Sequence, residues 1–253
     1  MKLPRLNLGS SECLWTMREV LLLWLLVFAA HFLMEYLEVT PHIMESLSNR
    51  YFILIKEPLF QYHLYVFIST FLIKLLAVAI IWAILRFHKI RFFTGLNLNI
   101  MLQKEWLWLF FAFFVFAVIV RVITDVDPLS PNLPIYMFFR ESSIMGTLVV
   151  VFSLAVVAPI SEEIFFRGFV YPAMDNRLGF YPATLITAAL FTGLHVPQCK
   201  DHPQIIAVIF LSGLFLTFAR AVTKSTLMTI MFHSLYNITI VIVGFIKFLV
   251  LKY

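Results

Sequence analysis

The run from Ser143 to Tyr171 places the tightest constraint on what this chain can fold into. It is almost wholly apolar, and as a helix rising about 1.5 Å per residue it exceeds a bilayer core of roughly 30 Å. Yet it carries Glu162, Glu163 and Arg167 within six positions. Backbone in hydrocarbon must satisfy its own hydrogen bonds, so the run reads as a helix. On a helix, Glu163 and Arg167 stand four apart on one face. Glu162 is rotated from Glu163 by about 100°. One carboxylate therefore has a built-in counter-ion, and the other is left for chemistry. Ionisable groups inside a span are costly and read as functional. The plainer alternative is a helix end with snorkelling charges, since Asp175 and Arg177 follow. Pro159 removes a helical hydrogen bond and predicts a kink just before the carboxylates. Gly168 permits close helix contact.

The rest of the composition fits the same setting. Of 253 residues, 62% are hydrophobic and 13% charged, where a soluble domain carries about 25% charge. The expected fold is all-α: a polytopic membrane bundle of seven transmembrane helices, or eight if the fourth run is split or a segment near Tyr51 is counted. The spans are expected over 19–36, 62–87, 106–123, 143–171, 181–196, 203–221 and 226–249. They form one integrated membrane domain, with N-terminal helices in 1–140 and a C-terminal core in 141–253. The net charge of +5 does not point to nucleic acid. Its basic residues sit in short loops, as the positive-inside rule predicts, so the lipid bilayer is the partner. Arg86, Lys89, Arg91 and Lys104 form the clearest cytoplasmic cluster, and Arg220 with Lys224 is read as another basic turn. The Pro-rich loop over 124–141 reads as external. Cys13 and Cys199 form neither a disulfide framework nor a metal knuckle. The first apolar run is read as a retained helix rather than a cleaved signal. With no targeting extension, the expected location is a bacterial inner membrane.

Other polar groups interrupt the spans. Lys74 sits in mid-span, and nothing around it assigns it a role. His31 and Glu35 stand four apart near the end of the first helix and read as solvated at an interface. His195 lies in the fifth span; His233 and Asn237 lie four apart on one face of the seventh. Such groups either converge on a polar cavity or glue helices together.

The ordered set Glu162-Glu163 with Arg167, Phe191 with His195, and His233 with Asn237 resembles the CPBP family. These are the CAAX prenyl protease and bacteriocin-processing membrane proteins, also called Abi. The resemblance covers about residues 145–240 and implies an intramembrane peptidase core. Its substrate would be a membrane-associated peptide or protein, possibly prenylated. No Gly-x-Ser-x-Gly elbow is present, and Pro197 separates Cys199 from His195. Attack by water is therefore expected, with Glu162 as general base and Glu163 held by Arg167. His195 would orient or help activate the water. His233 and Asn237 would bind the oxyanion, as the resemblance implies. No cofactor is required on this reading. A zinc ion held by Glu162, His195 and His233 is the alternative, although His-Glu-x-x-His is absent. Glu162, His195 and His233 are expected around one cavity. The expected topology resists this, because it sets Glu162 toward the cytoplasm and His195 near the outer end of its helix. Two other functions compete. One is a non-proteolytic membrane partner that regulates another protein on the same fold. The other is an ion or proton carrier using Lys74, Glu162 and Glu163, disfavoured by the lack of internal repeats.

Overall fold

The computed structural model describes residues 15–36, 58–99, 105–124, 148, 151–199 and 202–252. The segment at Tyr51, the loop beyond Thr124, Cys13, Lys104 and the side chain of Glu35 lie outside the described residues. Among those described, every regular element is helical. The helices are α1 (Met17–Tyr36), α2 (Pro58–Phe87), the single turn α3 (Phe92–Gly95) and α4 (Glu105–Thr124). A π-helical stretch over Ser153–Val157 leads into α5 (Ala158–Glu163). A second, over Ile164–Val170, leads into α6 (Tyr171–Leu178). Then come α7 (Phe180–Gly193), the turn α8 (Val196–Cys199), α9 (Pro203–Thr223) and α10 (Thr226–Lys252).

Local chemistry sets the ends. Thr16 and Glu19 form a reciprocal capping box. The Thr16 N–H donates to Glu19 Oε2 at 2.6 Å, and the Glu19 N–H donates to Thr16 Oγ1 at 3.3 Å. This starts α1 two residues before the expected boundary. Pro203 sits in the first turn of α9, where its missing N–H costs nothing. Lys224 closes α9 in the left-handed region, φ 54°, and its N–H donates to Arg220 O at 2.9 Å. Gly179 joins α6 to α7 at φ 78° and ψ 171°, a region open essentially to glycine alone. Gly179→Ala is expected to lower stability by about 1–3 kcal/mol, read as a drop in melting temperature in detergent. Unchanged melting would mean that the turn relaxes.

The expected single fourth helix is divided. Pro159 lies in the first turn of α5, directly after the first π-helical stretch. The break is thus a change of helical winding rather than an end. Wider π turns rotate the following side chains off the regular 3.6-residue register, and such bulges are frequent at functional sites. The helix also continues past Tyr171 to Leu178.

α7 packs along α9, and α10 lies against α9, α5 and the first π-helical stretch. α2 packs on α1 and on α5, and α4 packs on α9 and α10. One core cluster joins Val20, Leu23 and Val27 of α1 and Ile81 and Leu85 of α2 to Phe165, Phe169 and Met174. Another sits between Phe113 of α4, Leu216 of α9 and Phe232 of α10.

The polarity of this packing is inverted relative to a soluble protein. Glu163 and Arg167 are 0% exposed, while Trp108, Phe111, Phe114, Leu72, Leu76 and Leu25 are each more than half exposed. Apolar side chains outside and ion pairs inside suit a hydrocarbon solvent. Among the described helices, those over 203–223 and 226–246 are long and apolar enough to cross a membrane. The basic loops share one end of the bundle. Glu19 pairs with His88 at 2.9 Å. Ser225 Oγ donates to Asn99 O, and Thr226 Oγ1 to Leu96 O, each at 2.6 Å. Arg220 corrects the expected basic turn. It is 2% exposed, and its Nε–H is shared between Arg167 O and Thr226 Oγ1, each at 3.1 Å. α9 continues to Thr223, so Arg220 faces inward instead of lying in a loop.

Candidate active site

The site begins with the pair that the helical period predicts. Arg167 Nη1 donates to Glu163 Oε1 at 2.7 Å, with both side chains fully buried. The other arm of the guanidinium, Nη2, donates to Gly213 O at 2.9 Å. Its face lies over the Phe191 ring, 4.7 Å from the centroid. One arginine therefore ties the motif helix to both α7 and α9. Gly213 makes the approach possible. A Cβ there would stand 3.3 Å from Phe191 Cδ1 and 3.4 Å from the Ala188 backbone.

His233 on α10 reaches both carboxylates. Its Nδ1–H donates to Glu163 Oε1 at 2.9 Å. Its Nε2 stands 3.9 Å from Glu162 Oε2. Glu163 thus fixes the ring so that its other nitrogen faces the second carboxylate. His195 is locked similarly: its Nδ1–H donates to Phe191 O at 2.9 Å, leaving Nε2 as the functional nitrogen. The Phe191 ring lies 4.8 Å from the His195 ring and 6.0 Å from the His233 ring. Phe191 therefore acts through its carbonyl, which holds one histidine, and through its face, which supports Arg167.

The level of His195 follows from the true length of the motif helix. With α6 ending at Leu178, Gly179 becomes the corner of a helical hairpin. Glu162 precedes this corner by about as many residues as His195 follows it, so each stands about 25 Å from it. The two share a level, close enough for His195 to feel the charges of Glu162 and His233. The conflict in the expected topology came from ending this helix at Tyr171.

Two side chains that sequence reasoning left out belong here. Lys74 Nζ donates to Glu162 Oε1 at 2.6 Å. Glu162 is therefore not the unpaired carboxylate of the sequence reading, because α2 brings it a counter-ion. His31 on α1 donates from Nδ1–H to Val27 O at 2.9 Å. It lies close enough to Lys74, Glu162 and His195 to feel their charges, not at a solvated interface. Each offered a signal, a cation and an imidazole inside an apolar run, but Lys74 had no local partner to interpret it, and Glu35, four residues from His31, pointed that histidine to an interface instead. Asn237 is engaged elsewhere: its Nδ2 donates to Leu154 O at 2.8 Å, fastening α10 to the first π-helical stretch.

The donor set does not fit a zinc centre in this arrangement. Among the described residues no group of three or more His, Cys, Asp or Glu side chains is placed to hold a metal ion. The Lys74 ammonium already occupies the Glu162 oxygen that a cation would take.

These groups set Glu162 3.9 Å from His233 Nε2, beside a second carboxylate neutralised by Arg167 and with His195 near enough to feel the charge of Glu162, inside a helical membrane protein. Residues 144–239 match a family model described as type II CAAX prenyl endopeptidase Rce1-like. The segment that carries every motif residue is thus similar to the CPBP/CAAX protease family. No curated protein and no solved structure matches the chain.

Proposed function

We propose that this protein is an intramembrane endopeptidase that hydrolyses a membrane-associated peptide with water activated by Glu162. The observation that carries the reading is His233 placed between Glu162 and Glu163, with one ring nitrogen turned to each. Structural glue needs only one partner per group. Here Arg167 neutralises Glu163, and Glu163 is spent on orienting an imidazole toward the other carboxylate. Glu162 takes the proton of the attacking water, and His195 Nε2 orients that water. As the carbonyl oxygen gains charge, His233, carrying a proton on each ring nitrogen, donates to it from Nε2–H while Nδ1–H stays on Glu163, joined by the second Nδ2–H of Asn237; Glu162 then passes the water proton to the leaving amine as the C–N bond breaks. No metal is required for these steps. The match to a CAAX prenyl endopeptidase family makes prenylated carboxy-terminal peptides the first substrates to test. A bundle of seven or eight spans in a bacterial inner membrane is the proposed setting.

The test is cleavage of prenylated and unprenylated membrane-associated peptides by purified protein in liposomes, with and without chelator, and with Glu162→Ala as the blank. Cleavage by the wild type that survives chelation and vanishes in the variant is expected. Loss on chelation with recovery on added zinc would replace the metal-free mechanism. Absence of cleavage across the panel, together with specific capture of a membrane protein, would favour a regulatory partner instead.

A further inference from the structure

We propose that Lys74 binds the free terminal carboxylate of the substrate, releasing Glu162 to act as base when the substrate arrives. The inference rests on the peptidase reading above and adds the substrate feature that the site selects.

Lys74 lies on α2, outside the matched segment 144–239. A lysine in the middle of an apolar helix is costly unless it pairs or serves a path. Its partner is Glu162, at 2.6 Å. That pairing suits a resting site but not a reacting one. An ammonium in direct contact favours the ionised carboxylate and so opposes proton transfer to it from water. For Glu162 to serve as base, the contact must loosen, and the ammonium then needs another anion in an apolar surrounding.

A CAAX-type substrate carries one. Its recognition sequence is the last four residues of a chain. A cut within them leaves the free carboxylate no more than three residues from the scissile bond, at most about 10 Å away. That carboxylate must itself leave water, which requires a cation near the reacting carbonyl. Of the cations beside the carboxylate pair among the described residues, Arg167 is fully buried and committed to Glu163 and Gly213 O. Lys74 keeps 18% of its side chain exposed. Its flexible four-carbon stem lets the ammonium swing between anions, which a fixed guanidinium fork does not. Exchanging Glu162 for the substrate carboxylate keeps the ammonium paired throughout, and base activation becomes conditional on a correct chain end.

The experiment compares a prenylated peptide ending in a free carboxylate with its carboxy-terminal amide. Each is assayed in proteoliposomes with wild type, Lys74→Met and Lys74→Arg. For the wild type, kcat/KM is expected to favour the acid by about 10- to 100-fold, the effect of leaving a buried charge unpaired. Lys74→Met is expected to treat the two peptides alike to within about twofold, with the loss on the acid. Lys74→Arg is expected to restore most of the preference. Equal rates on acid and amide in the wild type overturn the proposal, as does a preference that survives in Lys74→Met. Equal loss on both peptides in Lys74→Met, with unchanged melting, reduces Lys74 to a positioning partner of Glu162 and also overturns it. Should the wild type cleave neither peptide, the peptidase reading fails separately. Equilibrium binding of the same pair then decides for Lys74: equal affinity for acid and amide rejects the role.

Discussion

Glu162→Gln is expected to lower kcat on a membrane-associated peptide by about 10²- to 10⁴-fold, the range for loss of a general base, while the protein melts close to the wild type. The amide has the shape of the carboxylate, and its oxygen still accepts from Lys74 Nζ, which stands at 2.6 Å. It lacks only the ability to take a proton from water. The environment tolerates the change because the amide oxygen keeps the Lys74 ammonium hydrogen-bonded in place, so the cation is not left without an acceptor. Single-turnover cleavage with thermal unfolding in detergent measures both quantities. Retention of activity within about tenfold of the wild type would remove Glu162 from the base role.

The neighbouring carboxylate is expected to behave in the opposite way. Glu163→Gln, or Arg167→Met, breaks an ion pair that is 0% exposed on both sides. It should cost about 3–5 kcal/mol, because the surviving charge is left uncompensated in a low-dielectric interior. Glu163 Oε1 also accepts from His233, so its loss frees the imidazole as well as the guanidinium. Arg167→Lys is not a conservative exchange here. One ammonium cannot reproduce the fork to Glu163 and Gly213 O together with the stacking on Phe191. The pair Glu163→Gln/Arg167→Met should melt above the sum of its single variants, since neither orphaned charge remains, and a double-mutant cycle reads that coupling. Single variants that melt like the wild type would show that water or lipid headgroups reach this pair. The two adjacent glutamates thus separate activity from stability, although one residue number divides them.

Much of this was legible before any coordinates. The helical period fixes side chains three or four apart, so Glu163 with Arg167 and His233 near Asn237 follow from spacing alone. Apolar runs of membrane length dictate helices. The motifs singled out Glu162, Glu163, Arg167 and His233, which ion pairs bring together, but also Asn237, which is bonded to Leu154 O, and they did not point to Lys74. What could not be read was the partner of each group across helices. Lys74 and Glu162 are 88 positions apart, and His233 and Glu163 are 70 apart. No periodicity connects them. The motif helix runs on past Tyr171 to Leu178, beyond the span its apolar residues mark, and that added length sets the level of His195.

The sequence by itself determined that the chain is helical, that its natural solvent is lipid, and that a carboxylate and a guanidinium are paired within one helix. Each follows from interactions between residues close in the chain, where helix geometry leaves one arrangement. Only the tertiary structure decided that Glu162 is held by Lys74, that His233 faces both carboxylates, and that Arg220 is buried. Those contacts depend on how far each helix runs, how the two π-helical stretches rotate its faces, and which neighbour packs against it. Such choices are made by the whole bundle, because a charge in an apolar interior is stable only where another helix brings its partner.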